Sequence, residues 1–91
     1  MDRIYENCIE AIQDLLFACN IFDIELYVEN NTIIAKDSDY IWKGEDVFYM
    51  LFGDVLELDE NDVLPDGYGI DQKLVDNVLK YKNLFFQGGK E

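Results

Sequence analysis

Histidine is absent from this 91-residue chain, and proline occurs once. Without imidazole there is no Ser–His or Cys–His dyad and none of the commonest metal ligand. Basic residues are scarce as well. Seven Lys and Arg stand against 20 Asp and Glu, for a net charge of −13. That charge repels polyanions, which excludes sequence-independent binding to nucleic acid or to an anionic membrane. Cysteine occurs twice, as Cys8 and Cys19 in one amphipathic segment. On a helix they lie about 16 Å apart along the axis, beyond the ~7 Å Cα limit for a disulfide. Reduced core thiols suit a cytoplasm. No apolar run reaches the length of a signal h-region or a membrane span. The expectation is a cytoplasmic protein.

Apolar residues make up 49% of the chain and aromatics 14%, enough for one small core. Residues 2–20 carry a helical stripe of Ile4, Cys8, Ala11, Ile12, Leu15 and Cys19, widened by Tyr5, Ile9 and Leu16. Asn20 suits the left-handed conformation that often ends a helix. The period then changes to two. Phe22, Ile24, Leu26 and Val28 alternate with Asp23, Glu25, Tyr27 and Glu29, as in a half-buried strand. Asn30-Asn31 reads as a two-residue hairpin turn. That turn sets Val28 against Ile33, Leu26 against Ala35, and Glu25 against Lys36. Asp37-Ser38-Asp39 reads as a second turn, before a short third strand at Tyr40-Ile41-Trp42. Trp42 and Tyr40 are expected to pack between sheet and helix.

A second helix is expected from about Glu45 to Phe52, buried through Val47, Phe48, Leu51 and Phe52. It either stops at Gly53 or continues through Val55, Leu56 and Leu58. Residues 59–70 form a loop turning at Pro65-Asp66-Gly67. Asp71 caps a last helix running to about Asn83. The expected fold is α+β: a helix, a three-stranded antiparallel sheet and two helices, the helices on one face. Residues 1–83 make the domain and 84–91 a C-terminal tail.

Charge is unevenly spread. Residues 1–71 hold 18 acids and 3 bases, whereas residues 72–91 hold 2 acids and 4 bases. Three acidic groups stand out. Asp2, Glu6, Glu10 and Asp14 recur every fourth residue along the first helix. Asp23, Glu25 and Glu29 project from the first strand. Asp54, Glu57, Asp59, Glu60, Asp62 and Asp66 crowd the second helix end and the loop. Carboxylates one turn apart, about 6 Å along the axis, repel by ~0.2–0.5 kcal/mol per pair. A solvated face has no need of that arrangement, although solubility alone is the plainer explanation. A row of charges imitating a nucleic-acid backbone is the functional one. Tyr68, between Gly67 and Gly69, is either folded onto Leu64 and Ile70 or a rigid interface anchor among acids.

Catalytic and metal signatures are missing. Asp59-Glu60-Asn61-Asp62 opens like a calcium loop, but Leu64 falls where that loop needs glycine and Ile70 where it needs glutamate. Gly67 and Gly69 are followed by no Lys-Ser/Thr, so they make no phosphate loop. No cofactor and no enzymatic activity are expected.

In size, charge and element order the chain resembles the small acidic inhibitors that phages direct at host defence nucleases, in particular anti-CRISPR proteins. The resemblance rests on Asp2, Glu6, Glu10, Asp14 and the acids of residues 54–66. It implies an inhibitor filling a basic nucleic-acid-binding groove of a partner nuclease. Partner-binding candidates are these acids together with Tyr68, Glu25 and Glu29. The partner is expected to be a basic protein, and the chain a monomer or small homo-oligomer. Two other classes stay open: an immunity protein against a nuclease toxin, and a non-catalytic scaffold or adaptor. Immunity proteins of the bacteriocin type are all helical, which the hairpin disfavours.

Overall fold

A computed structural model describes residues 3–86. Helix α1 (Arg3–Ala18) leads into strands β1 (Glu25–Glu29), β2 (Thr32–Lys36) and β3 (Ile41–Lys43). Helix α2 (Glu45–Tyr49) widens into a π-helical segment, Met50–Val55, and α3 (Gln72–Phe86) closes the fold. The α+β architecture is therefore the one the sequence predicts. The overall shape is a slab of 38 × 37 × 20 Å, with the helices layered on one face of the sheet.

Helix α1 buries Cys8, Ala11, Ile12, Leu15 and Leu16. It ends where Asn20 takes φ 61°. There the Asn20 N–H donates to the Phe17 carbonyl at 3.0 Å and the Ile21 N–H to that of Leu16 at 2.9 Å. This paired closure is a Schellman motif, with asparagine in the place usually held by glycine. It reverses the chain and folds Ile21 back onto the core. The strand consequently starts later than the alternation from Phe22 suggests. Phe22 is excluded from the sheet and 69% exposed.

The hairpin matches its expected register, with Val28↔Ile33, Leu26↔Ala35 and Glu25↔Lys36 paired. Asn30 and Asn31 both take positive φ (55° and 60°), the geometry of a type I′ turn. The Asp37 carboxylate accepts the N–H groups of Asp39 and Tyr40, which turns β2 into β3. The inner sheet face carries Leu26, Ala35 and Trp42 in one row and Val28 and Ile33 in the next. Trp42 packs on the core, as expected, whereas Tyr40 is exposed and stacks on it.

Gly53 does not stop the second helix. Its apolar stripe steps strictly by four, from Val47 and Phe48 through Leu51 and Phe52 to Val55 and Leu56. An α-helix drifts about 40° per step of four, and i→i+5 bonding winds the stripe back toward the core. Leu56 is fully buried as a result, and its N–H reaches the Leu51 carbonyl at 2.9 Å.

The last helix also outruns its expected end. Asp71 caps it, accepting the Lys73 N–H at 3.0 Å, but it runs past Asn83 to Phe86. Phe85 stacks on Tyr5 at 4.9 Å and Phe86 meets the buried Phe48 edge-on at 5.5 Å. Residues 84–86 thus belong to the domain, which corrects their assignment to a tail; residues 87–91 lie outside the described part. No described helix is long and apolar enough to cross a membrane.

Candidate functional site

Among the described residues no charged or polar side chain is buried. Every described acid therefore reaches solvent, and the question is which of them share a surface. Glu6, Glu10 and Asp14 are exposed on α1, on the side away from its buried stripe. After Arg3 this helix carries no base. Asp2 lies outside the described residues.

Glu25 and Glu29 project from the outer face of the sheet, opposite the helical layer. There Glu25 is paired across the strands with Lys36, whereas Glu29 is paired with Thr32. Only Glu25 has a base directly opposite, and it also lines a groove with Gln13 and Phe17 of α1.

The acids of residues 54–66 sit in a loop held by its own side chains. The Asp59 carboxylate accepts the N–H groups of Asn61 at 2.8 Å and Val63 at 3.0 Å. Asp59 is thus a turn former as well as an exposed surface charge. Gln72, in the first turn of α3, accepts the Leu64 N–H and donates to the Asp62 carbonyl and the Asp76 carboxylate. Asp54, Glu57, Glu60 and Asp66 are exposed and Asp62 is partly buried. Glu57 holds φ 52° as the π-helical segment closes, with the Leu58 N–H donating to the Phe52 carbonyl at 3.0 Å.

Tyr68 folds inward. It packs on the core, half-buried, and its hydroxyl donates to the Val55 carbonyl at 3.3 Å. Packing pushes its phenol above the usual tyrosine range, and the neighbouring Glu57 and Cys19 add to the shift. Of the two readings for this ring, the core one matches its contacts, and it is no free-standing anchor. Its placement nevertheless joins two acidic groups. Tyr68 shares a groove with Ala18, Cys19, Asp54 and Val55, so Asp54 adjoins the C-terminal end of α1.

Both cysteines are free thiols. Burial pushes Cys8 up to about 12 and raises Cys19 as well, so neither is an activated nucleophile. No group of three His, Cys, Asp or Glu residues that could hold a metal ion occurs among the described residues.

One surface feature escaped the sequence reading. Phe17 and Phe22 are 59% and 69% exposed, their rings 5.5 Å apart. The available signal was helical phase, since Phe17 falls on the polar side of α1, in phase between Glu6 and Glu10.

In comparisons with protein-family models, with curated proteins and with solved structures, the chain matches none.

Proposed function

We propose that this is a non-catalytic acidic inhibitor that occupies the basic nucleic-acid-binding groove of a partner protein, a nuclease of the kind anti-CRISPR and anti-restriction proteins meet. One observation carries the reading. Glu6, Glu10 and Asp14 are exposed on a helix without a base after Arg3, and that helix ends beside Asp54. The arrangement is fixed before binding, because the α1 acids ride on a packed helix and Asp59, Gln72 and Tyr68 tie the loop down. A preorganised array loses less entropy on binding than a flexible acidic tail. Lys and Arg side chains that neutralise phosphates are open to carboxylates of similar spacing. Glu25, paired with Lys36, contributes least to such a surface. Two free thiols accord with a cytoplasmic site of action.

The test is competition. The chain is used to capture a basic partner from a host lysate, and the partner's own nucleic acid is then titrated against the complex. Mutual displacement is expected, with association slowing as salt rises. Reversing Glu10, Asp14, Asp54 and Glu60 to lysine should abolish capture while the fold persists, since all four are exposed. Simultaneous binding of nucleic acid and inhibitor, together with wild-type capture by the reversed protein, would refute the proposal.

A further inference from the structure

Strand β1 is an edge strand, since the sheet order is β1-β2-β3. Its turn closes on Glu29↔Thr32, so Glu29, Tyr27 and Glu25 exchange their hydrogen bonds with β2. The N–H and C=O groups of Leu26 and Val28 then point to the free edge. Among the described residues no other segment bonds to them. Unprotected edges of this kind accept an added strand.

Beside that edge lies a groove of about 280 Å³ between α1 and the start of β1. Leu16, Phe17, Phe22, Ile24 and Leu26 supply its apolar lining. On the other face of the same strand stand Glu25, Tyr27 and Glu29, all exposed. The edge therefore offers an apolar row on one side and an acidic row on the other.

We propose that β1 and the Phe17–Phe22 groove form a docking site for an extended segment of a partner protein whose residues alternate apolar and basic. Side chains of paired strands fall on the same face when directly opposite. An added strand with this alternation sends its apolar residues into the groove beside Leu26 and Val28. Its basic residues line up against Glu25 and Glu29. Backbone bonds supply affinity and the alternate side chains supply the choice of partner.

A second copy of the chain is the wrong occupant. Antiparallel pairing of two β1 strands about Tyr27 sets Glu25 of each copy opposite Glu29 of the other, and like charges directly opposite are destabilising. The net charge of −13 adds repulsion between copies. The same acids favour a cationic strand. This site does not rest on competition with nucleic acid; it stands or falls on the edge and the groove.

The probe is a short blocked peptide alternating valine and lysine, titrated into the full chain at low salt and followed by amide hydrogen exchange. Two control peptides are used, one alternating valine with glutamate and one with the valines and lysines in separate blocks. Exchange at Leu26 and Val28 should slow at least about tenfold with the alternating basic peptide at about 1 mM, and with neither control. Phe17→Ala with Phe22→Ala should weaken binding by about tenfold or more, as loss of an aromatic anchor does. Both rings are exposed, and circular dichroism verifies that the variant folds. Glu25→Lys with Glu29→Lys should reverse the preference toward the glutamate peptide. Equal binding of all three peptides, no binding at about 1 mM, protection confined to other segments, or a free protein that sediments as a dimer would each overturn the proposal.

Discussion

Phe85→Ala tests whether the C-terminal aromatics are part of the core. The change removes a ring that lies nearly flat on Tyr5, with centroids 4.9 Å apart and planes 6° from parallel. Phe85 is half-buried, so its transfer contribution is about half that of a fully buried phenylalanine, roughly 1–1.5 kcal/mol. The stack contributes ~0.5–1.5 kcal/mol more, for a loss of about 2 kcal/mol. Phe86→Ala removes an edge-on contact with Phe48 and should cost a similar amount. The two rings touch each other at 6.1 Å, so the double variant should lose less than the sum, about 3–4 kcal/mol. A 91-residue domain has only about 5–13 kcal/mol in total. Urea unfolding followed by far-ultraviolet circular dichroism reads this directly. With a slope near ~1 kcal/mol per molar urea, Phe85→Ala should lower the midpoint by about 2 M. Leu84→Ala is the control, because Leu84 is 50% exposed on the same turn and should lower the midpoint by no more than about 1 M. A shift below about 0.5 M for both phenylalanine variants would mean that the core closes without the last turn of α3.

Asp59→Ala should destabilise the chain by about 1 kcal/mol, through loss of the two backbone bonds that shape the loop, whereas Glu60→Ala should be neutral; equal midpoints for the two variants would remove Asp59 from the loop's framework. Gly53→Ala should stabilise by about 0.5–1 kcal/mol, because Gly53 keeps an ordinary helical φ and nothing lies within 4 Å of an added Cβ. A lower melting temperature for that variant would contradict the continuous helix. Burial holds the Cys8 thiol at about 12 against 9.0 in the ordinary case. The folded state therefore keeps its proton while the unfolded state releases it, and stability should fall as pH rises from 9 toward 12. The slope from this one group is at most about 1.4 kcal/mol per pH unit. Cys8→Ala should flatten the stability profile in that window, and an unchanged profile would refute the assignment.

Sequence alone determined what short-range chemistry controls. Asn30-Asn31 tolerates positive φ, and the alternation on either side leaves one register that puts Leu26, Val28, Ile33 and Ala35 on a single face. Asn20 ends α1 and Asp71 begins α3 for reasons confined to a few neighbouring residues. Net charge, −13, likewise needs no structure to be read.

Only the tertiary structure decided the rest, because it depends on what each residue meets across the fold. Phe22 keeps the alternation of a strand, yet the helix closure at Asn20 commits Ile21 to the core and leaves Phe22 outside beside Phe17. Phe85 and Phe86 look like a sticky tail until Tyr5 and Phe48, more than thirty residues away in each case, offer them surfaces. Gly53 leaves both a stop and a continuation open in the sequence, and burial of Leu56, which outweighs the weak helix propensity of one glycine, decides for continuation. The acids show the limit most clearly. Spacing along the chain groups them into three clusters. The fold keeps the α1 ladder on one face, sets Glu25 opposite Lys36 and Glu29 opposite Thr32 in the sheet, and gives Asp59 two backbone bonds within its loop. A carboxylate's role depends on the groups within a few ångströms of it, and those groups come from other parts of the chain.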